Sequence, residues 1–404
     1  MIILFKYKKM FLFLLLFLSF FDTYIFKINI GPIYISVFIL SVFILFFLIM
    51  FLNLKNEFHI ILDKTVVYYL VFLLFWFIYG IIQLFWTDNL VNGMQELFYL
   101  LFFIILIFGI INLISQKRDI KYLYKIVYYL VVVTTLLGIS EIIFNFHLSG
   151  ARQIYGKIYA SGLFYNPNDF SFFNNLFFPF ICVDFYENKI NNKLINVLLI
   201  LFIFIITIIN KSTLSLIVLT LQFIIIFIFY VKNRYNLFLI SISSFIAIIY
   251  FKINNNLSFF IPNSNSVIPR LELIFNGLYA LYSHYLLGVG PSGYQDHINP
   301  EIVKTNILDP HNWWIELLTN YGIFIFVIYL IIFFLLLNKI LTIIKKNDTF
   351  KYIYISAFVS LIGYFLGSPG MSSVFPFKGI WIVQGISLGL INYYYIYHVR
   401  EKAV

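Results

Sequence analysis

Runs of about 20 apolar residues recur along the whole 404-residue chain, and a helix needs a run of that length to cross the hydrocarbon core of a bilayer. The runs are continuous and lack the short alternating segments that build an outer-membrane barrel. This pattern predicts an all-α polytopic integral membrane protein with about 12 transmembrane helices, forming a single membrane domain over residues 1–404. The predicted spans are 10–26, 33–53, 65–87, 96–114, 123–144, 170–186, 194–209, 213–231, 236–251, 312–337, 352–367 and 379–396.

The composition supports the membrane assignment and excludes several other classes of protein. Hydrophobic residues make up 62% of the chain and charged residues only 11%, whereas a soluble domain carries about 25% charged residues. The net charge of +10 does not indicate a nucleic-acid partner, because no basic cluster stands clear of a predicted membrane flank. The single cysteine, Cys182, provides no disulfide framework, and the histidines show no ligand spacing with carboxylates, so we predict no metal site.

The distribution of positive charge predicts the orientation. If the N-terminus is placed in the cytoplasm, 19 of the 27 Lys and Arg residues fall in inner segments, although the outer segments are longer. Cytoplasmic loops of membrane proteins collect positive charge in this way. We therefore expect a multi-pass membrane protein with both termini in the cytoplasm. The richness in Ile, Phe, Asn, Lys and Tyr is typical of AT-rich bacterial coding sequences, so we expect the membrane to be the bacterial cytoplasmic (inner) membrane.

Two predicted outer loops, 145–169 and 252–311, retain polar length that the bundle does not need, and function concentrates in such loops. The second loop contains an amphipathic helix, which we expect to lie on the outer membrane surface or to cap the bundle. Its apolar face is Leu271, Ile274, Phe275, Leu278, Leu281, Tyr282 and Tyr285, and its polar face is Glu272, Asn276, Tyr279 and Ser283.

The segment DPHNWWIELLTNYG, residues 309–322, is the most informative stretch of the chain. Asp309 is a good N-cap and Pro310 suits the first helical position, so we predict that a helix begins here. His311 would then lie in the first turn at the water boundary, where the helix dipole disfavours imidazolium. A neutral imidazole can act as a general base; the alternative is a surface histidine that caps or hydrogen-bonds.

Glu316 follows four residues after Asn312 and shares its helix face. A carboxylate entering the apolar zone is costly and faces a cavity or a partner. We interpret Glu316 as a catalytic candidate and Asn312 as a substrate-binding candidate. The alternative for Glu316 is a structural ion pair with an outer Arg or Lys, and the same two possibilities apply to Glu141 near the outer end of the fifth predicted span.

Further polar positions in the outer segments are substrate-binding candidates. Gly288 and Gly290 flank a turn whose backbone N–H groups can hold a phosphate, although a simple turn is the alternative. Arginines beside a membrane bind either a phosphate ligand or lipid headgroups. The substrate-binding candidates outside the glycine turn are Arg152, Lys157, Lys211 and Asp169, which belongs to an NPND segment that we expect to cap the sixth span. A membrane anchor is the alternative for Lys211, and Arg270 is a catalytic candidate.

The ordered set of motifs resembles the O-antigen polymerase and ligase superfamily. The residues that carry the resemblance are NPND at 166–169, RLELIFNGLYAL from Arg270, LLGVGPSGY at 286–294 and DPHNWWIELLTNYGIF from Asp309. The DPHNWW form is most similar to polymerases of capsule and teichuronic-acid repeat units. The motifs cover about residues 150–335, and the topology covers the whole chain.

This resemblance implies a metal-independent glycosyltransferase without a cofactor. It would transfer an undecaprenyl-diphosphate-linked oligosaccharide to a sugar hydroxyl of another lipid-linked repeat unit on the outer leaflet. Membrane lipid, a flippase and a chain-length regulator would be its further partners. An alternative is an O-antigen ligase that transfers the glycan to lipid A–core. A non-enzymatic lipid-linked glycan flippase or transporter is a third possibility, but the chain shows no internal repeat.

The resemblance also implies roles for individual residues. His311 matches the loop histidine proposed to activate the acceptor hydroxyl, and Arg270, with Arg152 in the earlier loop, would hold the diphosphate leaving group. Family members often carry a Ser-Arg pair at the turn after the seventh span, where this chain has Lys211-Ser212-Thr213. Lys211 supplies charge there but not a bidentate fork.

Overall fold

The structure is a computed structural model that describes residues 10–21, 27–30, 33–55, 60–148, 158–230, 264–305, 308–346, 349–371 and 375–403. Within these residues the chain is almost entirely helical. The helices are α1 (Met10–Phe21), α2 (Val37–Leu54), α3 (Lys64–Gln83), α4 (Leu90–Leu113), α5 (Lys117–Phe144), α6 (Pro167–Glu187), α7 (Lys193–Ile209), α8 (Thr213–Tyr230), α9 (Ser264–Ser283), α10 (Trp313–Lys345), α11 (Lys351–Gly367) and α12 (Lys378–Ala403). Short 3₁₀ helices occupy Gly293–His297 and Ser368–Gly370.

Seven helices among the described residues are long and apolar enough to cross a membrane: α2, α3, α4, α5, α8, α10 and α11 with the 3₁₀ turn that follows it. The shorter helices α1 and α7 are also apolar. The prediction of a helical polytopic membrane protein is thus confirmed. The predicted number of twelve spans stays a prediction, and the predicted span 236–251 lies outside the described residues.

A small hairpin precedes the second predicted span. Strands β1 (Lys27–Ile30) and β2 (Ile33–Ser36) pair antiparallel, with Lys27 opposite Ser36 and Ile30 opposite Ile33. The helix α2 therefore begins at Val37 and not at the predicted position 33. The physical reason is the N-cap: the Ser36 side chain accepts a hydrogen bond from the Ile39 N–H at 3.2 Å, which fixes the start of the helix.

The centre of the bundle consists of α4, α6, α11 and α12. Helix α6 packs on α11, α4 packs on α12, and α11 also packs on α12. Gly363 of α11 allows a close approach to α6, since a Cβ there would lie 2.5 Å from the Asn175 carbonyl oxygen. The Gln222 side chain of α8 donates to that carbonyl at 2.6 Å and to the Val359 carbonyl at 3.1 Å. Small residues and interhelical hydrogen bonds of this kind hold membrane helices together.

The helix α10 is interrupted inside its length. Gly322 has φ 78° and ψ 176°, far from helical values, and the loop that follows α9 fills the gap. The Val289 and Gly290 N–H groups donate to the Thr319 and Asn320 carbonyls at 2.9 Å each, and the Ile323 N–H donates to the Leu286 carbonyl at 3.0 Å. The broken helix therefore finds its missing hydrogen bonds in residues 286–290.

We expect Gly322→Ala to destabilise the protein strongly, because the new Cβ would lie 2.5 Å from the Leu287 backbone and the residue would keep an unfavourable positive φ. Thermal unfolding of the purified protein in detergent measures the effect. Gly109→Ala is the matched control in another span, since its Cβ would meet only the flexible Leu45 side chain at 3.1 Å. Equal unfolding temperatures for the two variants would contradict this account of the break.

Candidate functional site

Helix α9 lies across the first two turns of α10. The two helices cross at Gly277, where a Cβ would lie 2.7 Å from both the Ile315 side chain and the Thr319 hydroxyl. Beneath α9, Leu273 forms a small separate core with Tyr294 and Val303. The predicted amphipathic helix is therefore present as α9 and is packed on the start of α10.

The two faces of α9 differ in part from the predicted ones. The residues Leu271, Phe275, Leu278 and Tyr282 of the predicted apolar face are exposed, as expected for a helix at a lipid surface. Asn276, predicted on the opposite polar face, is fully buried. Its side chain accepts from the Asn299 N–H at 2.9 Å and donates to the His297 carbonyl at 3.3 Å, so its role is to hold the outer segment together.

The loop after α9 is held from the other side by the end of α3. Gln83 donates to the Leu287 carbonyl at 2.9 Å and to the Asn320 carbonyl at 3.0 Å, so one side chain joins the loop to the broken helix. The Tyr79 hydroxyl also donates to the Leu287 carbonyl, at 2.7 Å, and the Trp86 indole donates to the Gly288 carbonyl at 3.0 Å. The loop is consequently fixed between α3 and α10.

The glycines of this loop allow close packing. Gly288 has φ 91°, and a Cβ there would lie 2.5 Å from the Asn320 carbonyl oxygen, while a Cβ on Gly290 (φ 99°) would overlap the Thr87 hydroxyl. The Gly290 N–H donates to the Asn320 carbonyl. This N–H group is therefore occupied and does not face a phosphate, contrary to the expectation from the sequence. The physical reason is that the orphan carbonyls of the broken helix need backbone donors. A binding role for Gly288 stays a prediction.

The predicted start of the helix at Asp309 and Pro310 is wrong. The helix α10 begins at Trp313, and Asn312 is its N-cap, with the Asn312 Oδ1 accepting from the Trp314 N–H at 3.1 Å and the Ile315 N–H at 3.4 Å. His311 has φ 48° in the left-handed region, which ends any helical path from Asp309. His311 thus lies just before the helix and not in its first turn.

Glu316 lies in the first turn of α10 and is partly buried. The negative charges of Glu96 and Asp309 act on it, and within the described residues it has no Lys or Arg ion-pair partner. Nearby, burial, the Asp309 charge and the Glu316 charge raise the pKa of Tyr294 to about 12, although a hydrogen bond with Asn276 opposes the shift. Tyr294 therefore stays protonated and donates to the Leu273 carbonyl at 2.7 Å.

Glu96 is a site residue that the sequence analysis missed. It lies in α4, is only 8% exposed, and accepts a hydrogen bond from the Tyr321 hydroxyl at 2.6 Å. The backbone of Ser292 also interacts with this carboxylate. The signal was present, because Glu96 opens the predicted span 96–114 and a carboxylate entering a span has a partner or a cavity by default.

The cationic candidates lie at different places. Arg270 is exposed on α9 and has no ion-pair partner within the described part of the chain, and Arg152 and Lys157 lie outside the described residues. Lys211 is exposed in the turn between α7 and α8, with φ 55°. The gathering of these cations around His311 stays a prediction.

The first outer loop is organised by two buried polar side chains. Glu141 accepts from the Ser161 and Gly162 N–H groups at 2.7 and 2.8 Å, and its carboxylate lies 3.6 Å from His147 Nδ1. Asn210, beside Lys211, accepts from the Ala160 N–H at 2.8 Å. Glu141 thus serves as a backbone anchor.

The NPND segment caps α6 as predicted. Asn166 is the N-cap, and its side chain accepts from the Asn168 and Asp169 N–H groups at 2.8 and 3.0 Å, with Pro167 at the first helical position. Asp169 is 8% exposed in this first turn. Its predicted role as a substrate contact stays a prediction.

We expect Glu141→Ala to destabilise the first outer loop, because two buried N–H groups lose their acceptor at a cost of roughly 1–3 kcal/mol each. Limited proteolysis and thermal unfolding measure the change. Glu141→Gln is the matched control, since its amide oxygen still accepts a hydrogen bond and the loop should remain protected. Equal protease resistance of the alanine variant and the unchanged protein would disprove the anchoring role.

Two comparisons with known proteins bear on this site. Residues 197–330, which include α9, the glycine loop and the start of α10, match the family described as O-antigen ligase (Wzy_C). The chain is also 23% identical over 348 residues to the teichuronic acid biosynthesis protein TuaE of Bacillus subtilis (strain 168), covering 80% of this chain and 71% of that relative. The predicted resemblance to this family is therefore confirmed.

Proposed function

From its place in the O-antigen polymerase and ligase family, we propose that this multi-pass membrane protein is a glycan polymerase. It transfers an undecaprenyl-diphosphate-linked oligosaccharide to a sugar hydroxyl of a second lipid-linked repeat unit on the outer leaflet. The main support is the site at the start of α10, where His311, Asn312 and Glu316 stand on a helix end that the glycine loop fixes in position. A fixed helix end holds reacting groups in one geometry, as group transfer requires.

The proposed chemistry assigns one role to each group. The His311 imidazole takes the proton of the acceptor hydroxyl, whose oxygen forms a bond to the anomeric carbon of the donor. The bond between that carbon and the diphosphate oxygen breaks, and undecaprenyl diphosphate leaves with the electron pair. Arg270, assisted by Arg152, Lys157 and Lys211, stabilises the negative charge of the leaving group.

The acidic residues belong on the acceptor side in this proposal. The carboxyl groups of Glu96 and Asp309 act on Glu316, and a set of carboxyl groups offers no cation to a diphosphate. Carboxylate and amide oxygens are good acceptors for sugar hydroxyl groups. We therefore assign Glu316, Asn312 and Asp169 to sugar contacts, with Glu316 nearest the reacting hydroxyl.

The remaining parts of the proposal concern the whole protein. The chain forms a single membrane domain over 1–404 in the bacterial inner membrane, with both termini in the cytoplasm and outer loops at 145–169 and 252–311. The reaction needs neither a metal nor a cofactor, since the base and the cations are protein side chains. A flippase that supplies the donor and a chain-length regulator are proposed partners, and nucleic acid is not.

A ligase is the second candidate, because the matching family is described as O-antigen ligase. The acceptor distinguishes the two functions. Purified protein in nanodiscs is incubated with lipid-linked repeat units extracted from cells that lack it, with and without lipid A–core. Lengthening of the repeat without lipid A–core supports the polymerase; transfer only to lipid A–core supports the ligase, and no transfer with either acceptor contradicts both.

We expect His311→Asn to lose at least about a hundredfold in the rate of chain lengthening, since a positioned general base contributes about 10²–10⁴-fold. Asparagine tolerates the left-handed backbone of this position better than alanine does, so the protein should still insert and fold. The nanodisc assay and thermal unfolding give the two readouts. His284→Ala, a histidine at the end of α9, is the control, and a fully active His311→Asn protein would refute the base assignment.

We expect Arg270→Lys to reduce the rate of lengthening by at least about tenfold although the charge is kept, because lysine cannot form the bidentate fork with a diphosphate. The dependence of the rate on donor concentration measures the loss. Arg118→Lys, an exposed arginine at the start of α5, is the matched control. Unchanged kinetics in Arg270→Lys would indicate a general contact with lipid headgroups instead.

A further inference from the structure

Glu96 is a buried carboxylate to which the chemistry above gives no step. We propose that Glu96 is a positioning residue, whose carboxylate ties the glycine loop to the break in α10 and so fixes the turn that carries His311 and Glu316. The inference rests on the proposed function, because it concerns the geometry of the same site.

The contacts of Glu96 join three separate parts of the chain. Glu96 belongs to α4, the Tyr321 hydroxyl that it accepts at 2.6 Å belongs to α10, and the Ser292 backbone belongs to the loop. A hydrogen bond between two buried polar groups is costly to leave unmade. A single side chain thus restrains the loop and the helix relative to the fixed span α4.

Both partners of Glu96 are located where the backbone is strained. Ser292 has φ 57°, and Tyr321 immediately precedes Gly322, whose φ of 78° breaks the helix. Residues in such conformations persist only when their surroundings hold them there. Glu96 supplies part of that support from outside the loop, which explains why a costly carboxylate is kept within a span.

Further contacts connect the loop and α10 to neighbouring helices. A Cβ on Gly93, one turn earlier on α4, would be in van der Waals contact with the Pro291 carbonyl oxygen of the loop, at 3.4 Å. Tyr321 packs edge-on against Trp76 at 5.2 Å between ring centroids. Loss of the Tyr321 hydrogen bond would therefore change the position of the loop and of the first turns of α10 together.

The contacts of Glu96 with other groups of the protein make it a positioning residue. Glu96 acts electrostatically on Glu316, but the hydrogen bond of its carboxylate is made to Tyr321 and not to a reacting group. We expect its loss to slow the reaction and to leave donor binding nearly unchanged, because a small misplacement of reacting groups costs about 10²-fold in rate.

The test compares Glu96→Ala, Glu96→Gln and Tyr321→Phe in nanodiscs, with lipid-linked repeat units extracted from cells that lack the protein as the substrate. Tyr364→Phe is the matched control, since it removes another buried hydroxyl contact of 2.6 Å, with Tyr329, away from the break. We expect Glu96→Ala and Tyr321→Phe to lower kcat by at least about tenfold with KM changed less than about threefold. Glu96→Gln still accepts the Tyr321 hydroxyl and should retain most of the activity.

Hydrogen exchange provides a readout that does not depend on activity. Backbone amides of residues 286–294 should exchange faster in Glu96→Ala and Tyr321→Phe than in Glu96→Gln and Tyr364→Phe. If Glu96→Ala does not insert, Tyr321→Phe and Glu96→Gln carry the test. An inactive unchanged protein would count against the proposed polymerase while the exchange data still decide the role of Glu96.

Three results would overturn the positioning role. The first is equal exchange of residues 286–294 in all variants. The second is a Tyr321→Phe protein whose kcat matches that of Tyr364→Phe. The third is a Glu96→Gln protein as slow as a folded Glu96→Ala protein, which would show that the charge acts and that the hydrogen bonds do not.

Discussion

Backbone groups inside a bilayer must find hydrogen-bond partners within the protein. The interruption of α10 at Gly322 leaves backbone groups of that helix without their usual helical partners. Residues Leu286–Gly290 of the loop supply the missing partners. Their N–H groups donate to carbonyls before the break, and the Leu286 carbonyl accepts from an N–H group after it. Gln83 adds a side chain that bonds to both segments. The outer loop is therefore part of the hydrogen bonding of α10, and its position follows from that of the span.

This dependence places the candidate chemistry on rigid elements. The turn with His311 and Asn312 starts the same helix that the loop completes, and α9 crosses that helix at Gly277. Non-helical backbone at this depth is tolerated in membrane proteins where it is buried in protein or lines a cavity. Ser292 in the loop and His311 before α10 both have positive φ values, and such strained backbone is common at functional sites.

Charge is unevenly distributed over this end of the bundle. Glu96 and Asp309 both act on Glu316, while Arg270 is exposed near the start of α9. In the proposed reaction the two kinds of group have different tasks, because a diphosphate is stabilised by guanidinium groups and an acceptor hydroxyl by carboxylates and a base. The exposed apolar residues of α9, such as Phe275 and Tyr282, are suited to contact with lipid beside that diphosphate.

The sequence by itself determined the helical membrane architecture, the amphipathic helix α9 and the cap of α6 at Asn166, because hydrophobic periodicity and capping chemistry act over a few residues. It also indicated the segment around His311. Only the tertiary structure decided that Asn312 starts α10, that the Gly290 N–H pairs with a broken helix, and that Glu96 bonds to Tyr321. Those outcomes depend on partners far apart in the chain, 225 residues in the case of Glu96 and Tyr321, and no local pattern records which distant group satisfies a buried polar atom.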